Sequence, residues 1–256
     1  DQDNGLIISN DVQPEHLGWY AELAELVCYG LNECGYVYCP GGIMAKTEQW
    51  RQSLEIWQET VRRWATSPTP DAVMRVSIFF DIRCIYGASS LCDALQKTML
   101  KQASKNSIFL AALAANALDT KPPLGIFRRF VVDRDGEHRD SLDLKKRGVL
   151  PVTEIVRLHA LAHKIPAVNT NERLKALAEN KHMTIVDSRN LVDALHFIQH
   201  QRIKHQCGQI VRGEQVTNFL NPRNLPKMAK EQLRDAFTII DDAQSAVRQT
   251  YRAGMG

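Results

Sequence analysis

The sequence predicts an α+β protein in two parts, a mixed sheet with helices followed by an α-helical bundle. Three observations carry this reading. Short apolar runs alternate with helix-spaced patterns over the first hundred residues, only helical spacing remains from about residue 88 onward, and 256 residues suit two domains better than one. The division is placed between residues 104 and 105, giving parts 1–104 and 105–256.

The first run, Leu6-Ile7-Ile8, reads as a strand. Pro14 starts a helix with Leu17, Tyr20, Ala21, Ala24, Val27, Cys28 and Leu31 on one face, and Gly35 ends it. Tyr36 to Cys39 reads as a short strand, and Gly41-Gly42 as a tight turn or a place where backbone approaches a ligand closely. Trp50, Leu54, Trp57, Val61 and Trp64 recur at helical spacing through residues 47–65, a stripe that suits a core better than a base-stacking platform. Ser67-Pro68-Thr69-Pro70 breaks that helix and leads into Val76-Ser77-Ile78-Phe79-Phe80-Asp81-Ile82-Arg83, read as a buried strand. Phe109 to Ala115 reads as a buried helix and Pro122-Pro123 as a loop. Further helices are expected from Pro151 to His163, Thr170 to Ala178, Thr184 to about His205, and Pro226 to Tyr251. Thr184-Ile185-Val186-Asp187 offers a capping box with Asp in place of Glu, and Pro226 a first-turn proline.

The residues that carry chemistry begin with Asp1 and Asp3 at the head of the first strand. In an extended segment, positions two apart share a face, so these carboxylates would project together about 6–7 Å apart. Two hard oxygen donors on one face suit Mg²⁺ (or Mn²⁺), which can bridge a nucleoside triphosphate and neutralise the leaving pyrophosphate. Asp81 lies in an apolar run where an unpaired charge is costly, so it requires a cation. On a strand beside the first it would complete a three-carboxylate cluster, with Arg83 on the same face; the alternative is that Asp81 and Arg83 pair with each other or with backbone. Asp143 and Lys145 alternate around Leu144, which places them together either on a face bordering an interdomain cleft or in a salt-bridged hairpin that braces the bundle.

Asp1-Gln2-Asp3-Asn4-Gly5-Leu6-Ile7 resembles the metal-binding strand of the polymerase-β-like nucleotidyltransferases. Within that superfamily the chain is similar to the nucleotidyltransferases often fused to CBS or cyclic-nucleotide-binding domains, relatives of the protein-PII uridylyltransferase amino-terminal region. The resemblance continues through Cys39-Pro40-Gly41-Gly42-Ile43-Met44-Ala45, Trp50-Arg51-Gln52-Ser53-Leu54, Phe80-Asp81-Ile82-Arg83, Pro122-Pro123-Leu124-Gly125, Leu142-Asp143-Leu144-Lys145 and Asn169-Thr170-Asn171-Glu172-Arg173-Leu174. It implies a polymerase-β-like nucleotidyltransferase domain over 1–104 and a helical substrate-binding domain over 105–256. Asp1, Asp3 and Asp81 would be the metal-binding and catalytic carboxylates, with Asp81 helping to deprotonate or orient the acceptor hydroxyl. Gly41 and Gly42 would lie beside the nucleotide, and Arg83 would contact the triphosphate or hold Asp81. The implied reaction moves a nucleoside monophosphate from a triphosphate to a hydroxyl of a protein or small molecule, with CBS or cyclic-nucleotide-binding domains upstream. The alternative is an inactive nucleotide-sensing module of a larger signalling protein. The family pattern also has a Gly-Ser turn before the Asp-x-Asp, so residue 1 is read as lying inside the motif.

Composition excludes other classes. A net charge of +3 is too mild for a phosphate-backbone binder, and Lys145-Lys146-Arg147 is the only tight basic run, so no nucleic-acid partner is expected. No apolar run approaches the roughly 20 residues that span a bilayer, and no signal peptide is visible, which suggests a cytoplasmic protein. The six cysteines form no C-x-x-C pair and read as reduced, mostly buried thiols. His159/His163 and His196/His200 are four apart on expected helices, but without a third ligand they suit surface or capping roles better than zinc.

Overall fold

The computed structural model describes residues 2–133 and 135–251. A three-residue strand, β1 (Leu6–Ile8), is followed by a 3₁₀ turn opened by Pro14 and by α1 (Leu17–Glu33). Gly35, at φ +92°, closes α1: the Gly35 and Tyr36 amides donate back to the Asn32 and Leu31 carbonyls. The chain returns through Tyr38, which forms a single parallel bridge with Gln2, and enters β2 (Arg51–Ser53), parallel to β1 with Ile7 opposite Gln52. The expected helix over 47–65 is therefore divided. Glu48–Trp50 form a 3₁₀ turn, β2 follows, and α2 (Leu54–Thr66) starts where the Ser53 hydroxyl accepts from the Ile56 amide.

The expected strand at Val76–Arg83 is instead the end of a helix, α3 (Pro70–Phe79). Thr69 caps it by accepting from the Ala72 amide, Pro70 occupies its first turn, and Val73, Val76, Phe79 and Phe80 are buried. The 3–4 residue spacing of those four makes one helical face. A short apolar run does not distinguish a strand from a buried helix, and the cap and proline upstream decide it. Asp81 lies in the turn beyond α3, off any sheet.

α4 (Ser89–Ala103) and α5 (Ser107–Asp119) lead into the helical part. There β3 (Leu142–Asp143) pairs antiparallel with β4 (Phe219–Leu220), and α6 (Leu150–Ala162), α7 (Thr170–Glu179), α8 (Ile185–Val211) and α9 (Lys227–Tyr251) form the bundle. The Thr184 hydroxyl accepts from the Asp187 amide and donates to the Asp187 carboxylate, so Thr184 caps α8 as expected, but the carboxylate bonds the hydroxyl where a capping box would bond the Thr184 amide.

The main core runs without interruption across the 104/105 division. It contains Trp57, Phe79 and Met99 on one side and Phe109, Leu161 and Phe237 on the other. Phe79 centres the tryptophan stripe, with ring centroids 4.8, 5.1 and 5.5 Å from Trp50, Trp57 and Trp64. A smaller cluster of Ala24, Cys28, Met44 and Ala45 seats α1 beneath β1. The cysteines are free, but of the six only Cys28 is buried; Cys34, Cys84 and Cys207 are exposed, contrary to the expectation of mostly buried thiols. Among the described residues no helix is long and apolar enough to cross a membrane.

Candidate functional site

The segment before β1 is held by alternate side chains. Gln2 is only 4% exposed, and its amide nitrogen donates to the Cys28 and Tyr36 carbonyls, both at 2.9 Å. The Asn4 side-chain Oδ1 accepts from the Ala45 amide at 2.8 Å, its side-chain nitrogen donates to Gln2 Oε1 at 3.0 Å, and its own backbone amide donates to the Ile43 carbonyl. With Gln2 and Asn4 engaged on the inner side, Asp3 between them is exposed, and among the described residues it has no ion-pair or hydrogen-bond partner. Its carboxylate fits a hard divalent cation because no described side chain already neutralises it. Asp1, its expected companion, lies outside the described residues.

Gly5 lets this segment sit close to the core. A Cβ there would lie 3.2 Å from the Trp50 carbonyl and 3.3 Å from the Trp57 ring, and the Trp57 indole donates to the Leu6 carbonyl at 3.0 Å. Gly42, at φ +68°, makes the turn that returns Ile43–Ala45 past Asn4, and its amide donates to the Cys39 carbonyl. Gly41 needs no special conformation; a Cβ there would meet Cys39 Sγ at an ordinary 3.6 Å. The Gly41-Gly42 turn and Asp3 are thus joined through Asn4. Lys46 follows this turn, its ammonium 3.9 Å from the centroid of the Tyr38 ring, and Tyr38 bridges to Gln2. Sequence reasoning missed Gln2, Asn4 and Lys46, although two amides alternating with acids in Asp-Gln-Asp-Asn are a readable sign of a segment braced on one side.

Asp81 has another environment. Arg157 Nε donates to its Oδ2 at 3.2 Å, with a second, shorter contact from Nη2, and Arg173 Nη1 lies 2.6 Å from Oδ1. Glu154 accepts from Arg157 Nη1 at 2.6 Å, and Arg173 also donates to the Ala167 carbonyl and lies over the Phe80 ring. Two carboxylates therefore meet two guanidinium groups, and the Arg173 side chain is only 2% exposed. Burial lowers the pKa of Arg157, but the Asp81 hydrogen bond and the Asp81 and Glu154 charges outweigh it and raise the value overall. For Arg173 burial outweighs the Asp81 charge and hydrogen bond and lowers the value, and the Arg157 charge adds a little to that. Both stay protonated at neutral pH.

This corrects the expected partnership of Asp81 and Arg83. They do not share a strand, the Asp81 cations come from α6 and α7, and Arg83 is exposed with no hydrogen bond or ion pair among the described residues. An acid needing a cation was legible; which arginines supplied it depended on contacts between segments far apart in the chain. Arg157, an arginine between Val156 and Leu158 on the buried face of α6, was a visible signal.

Among the described residues the Asp143 carboxylate makes only a local bond. Leu142 and Leu144 are buried as expected, but the Asp143 carboxylate accepts from the Lys146 amide at 2.9 Å, and Lys145 is exposed. Asp143 and Lys145 thus form neither a salt-bridged hairpin nor a described cleft contact; Asp143 caps the turn leading into α6. No group of three or more His, Cys, Asp or Glu side chains among the described residues is arranged to hold a metal. Of the histidine pairs, His196 contacts the Asn171 amide and the exposed His163 stacks on His182 at 3.8 Å, whereas His159 is half-buried against the Tyr251 hydroxyl and not in the expected surface or capping role.

Residues 1–71 match the family described as "Putative nucleotidyltransferase DUF294". Residues 107–251, more than half of the chain, match "Putative nucleotidyltransferase substrate binding domain". Comparison with curated proteins and with solved structures gives no match. The segment braced by Gln2 and Asn4 and the helical bundle accordingly fall in two successive matched regions, and the chain belongs to this nucleotidyltransferase family with its substrate-binding domain.

Proposed function

We propose that the chain transfers a nucleoside monophosphate from a nucleoside triphosphate to a hydroxyl, using the Asp1–Asp3 edge. The observation that carries this reading is Asp3: exposed, without a described cation partner, and held between two inward-facing amides in a chain of the nucleotidyltransferase family. Asp1 and Asp3 would hold Mg²⁺ or Mn²⁺. The metal supplies charge neutralisation on the triphosphate and lowers the pKa of the acceptor hydroxyl. The Gly41-Gly42 turn would shape the adjoining wall, and Lys46 is suited to a phosphate oxygen as a point charge. The acceptor would be a hydroxyl on a small molecule or on a protein such as a tyrosine of a PII-like regulator, and CBS or cyclic-nucleotide-binding domains would be its regulatory partners. Catalysis on this account depends on positioning and electrostatics without a covalent enzyme intermediate.

The paired state of Asp81 favours a second reading. A carboxylate occupied by two arginines is a poor general base, so a site with only Asp1 and Asp3 could bind metal-nucleotide without activating an acceptor. In that case the module senses nucleotide for a larger protein. Incubating the protein with each α-labelled triphosphate, Mg²⁺ or Mn²⁺ and candidate hydroxyl acceptors separates the two. Label transfer that disappears in Asp3→Asn supports the enzyme; nucleotide binding without transfer supports the sensor; neither binding nor transfer rejects both.

A further inference from the structure

A groove of about 850 Å³ opens in the helical part between α6, the α7–α8 turn, α8 and α9. Its size lies within the range of small-molecule sites. Ile155, Leu191, Ile239 and Ala243 supply an apolar floor. His159 interrupts that floor, with its Nδ1 3.2 Å from the Tyr251 hydroxyl. Burial, with the His163 charge adding to it, lowers the His159 pKa to about 4, so the ring is a neutral polar anchor at physiological pH. Burial raises Tyr251 to about 12, so its hydroxyl keeps its proton.

The rim is unequal in charge. Glu179, Asp187 and Asp242 face the opening against Lys181 alone among the formally charged lining residues. Glu179 has only an exposed Lys175 ammonium at 3.9 Å, and Asp187 is hydrogen-bonded to the neutral Thr184 hydroxyl. Asp242 is exposed and has no hydrogen bond or ion pair among the described residues. An apolar floor with one half-buried polar pair and an acidic rim selects a compact molecule with an apolar body and a positive end.

We propose that this groove is a binding site for a small amine whose hydrocarbon or aromatic body lies over Ile155, Leu191 and Ile239 while its ammonium meets Asp242 and Asp187. This inference is independent of the transfer reading, because it uses none of the residues of the Asp3 edge.

Calorimetric titration with 2-phenylethylamine and with 3-phenylpropionate, similar in shape and opposite in charge, tests it directly. The amine should bind once per chain with Kd on the order of 1 mM, as suits a ligand of about nine heavy atoms, and the carboxylate should bind at least about tenfold more weakly. Asp242→Asn, at an exposed position, should weaken the amine by about tenfold with the melting temperature of the free protein unchanged. Ala246→Trp, which fills the groove from another position on its lining, should abolish binding. Failure of the amine to saturate the protein, equal affinity for both probes, or unchanged affinity in both variants would overturn the site. None of these results alters the expected effect of Asp3→Asn on metal-nucleotide binding, so this proposal and the transfer reading fail separately.

Discussion

Asp3 and Asp81 are both aspartates that the sequence places near apolar runs, yet the structure uses their surroundings in opposite ways. Asp3 stands at an open edge, its neighbours Gln2 and Asn4 turned inward and its carboxylate without a described partner. Asp81 lies between Arg157 and Arg173, where its charge answers two guanidinium groups brought from α6 and α7. The lesson concerns availability. A carboxylate can bind an exogenous cation only where the protein has not already supplied one, and strand-like hydrophobicity does not reveal which situation holds.

The largest effect that would sharpen this contrast is expected at Asp81. Asp81→Asn leaves the Arg173 guanidinium, nearly inaccessible to water, without its counter-ion. Because Asp81 is itself one-third exposed and Asn can still accept a hydrogen bond, the loss should be about 2–4 kcal/mol, measurable by urea unfolding. A change smaller than about 0.5 kcal/mol, the size of an ordinary surface substitution, would show that the arginine pairing contributes little.

A second buried group should respond to pH. The folded pKa of His159, about 4, lies below the ordinary 6.5, so between those values the unfolded chain binds a proton that the folded chain excludes. Stability contributed by the neutral ring is therefore fully present above pH 6.5 and declines as pH falls towards 4, by up to about 3 kcal/mol. From pH 7.5 to 4.5 the urea midpoint of wild type should fall more steeply than that of His159→Phe if this group drives the decline. Parallel pH profiles in the two proteins would assign the effect elsewhere.

At the open edge, and at the end of α7, the structural changes should be smaller. Gly5→Ala presses a methyl group against the Trp50 carbonyl and the Trp57 ring, and should cost about 1–2 kcal/mol with a change in tryptophan emission. Lys181 occupies the left-handed position that closes α7, at φ +60°, with the His182 amide donating to the Leu177 carbonyl. Lys181→Gly should therefore stabilise the protein by about 0.5–1 kcal/mol, seen as a higher urea midpoint. Asp3→Asn should change stability least, by less than about 0.5 kcal/mol, because its side chain touches no described partner.

What was legible follows from the range of the interactions involved. The bundle helices were readable because local spacing and caps specify them: Thr184 and Asp187 fix the start of α8, and Asn169 accepts from the Asn171 and Glu172 amides at the start of α7. The tryptophan stripe was readable as core for the same reason. β2 was not, since three residues between a 3₁₀ turn and a helix cap carry no period of their own and exist by pairing with β1. The strand assigned to Val76–Arg83 failed because Phe79 and Phe80 suit either structure locally, while the cap at Thr69 and burial against the tryptophans favour the helix. Of the candidate site, the outward face of Asp3 was legible from alternation, while its expected companion Asp1 lies outside the described residues. The partners of Asp81 were not, because only the folded bundle brings Arg157 and Arg173 to it.

The central claim is that metal capacity resides at the Asp3 edge and structural capacity at Asp81. Mn²⁺ binding followed by electron paramagnetic resonance in the presence of a nucleoside triphosphate, on wild type, Asp3→Asn and Asp81→Asn below their unfolding temperatures, tests it most directly. The account predicts that Asp3→Asn loses protein-bound Mn²⁺ at unchanged stability, whereas Asp81→Asn keeps it at reduced stability. Loss of Mn²⁺ in folded Asp81→Asn with retention in Asp3→Asn would contradict the account.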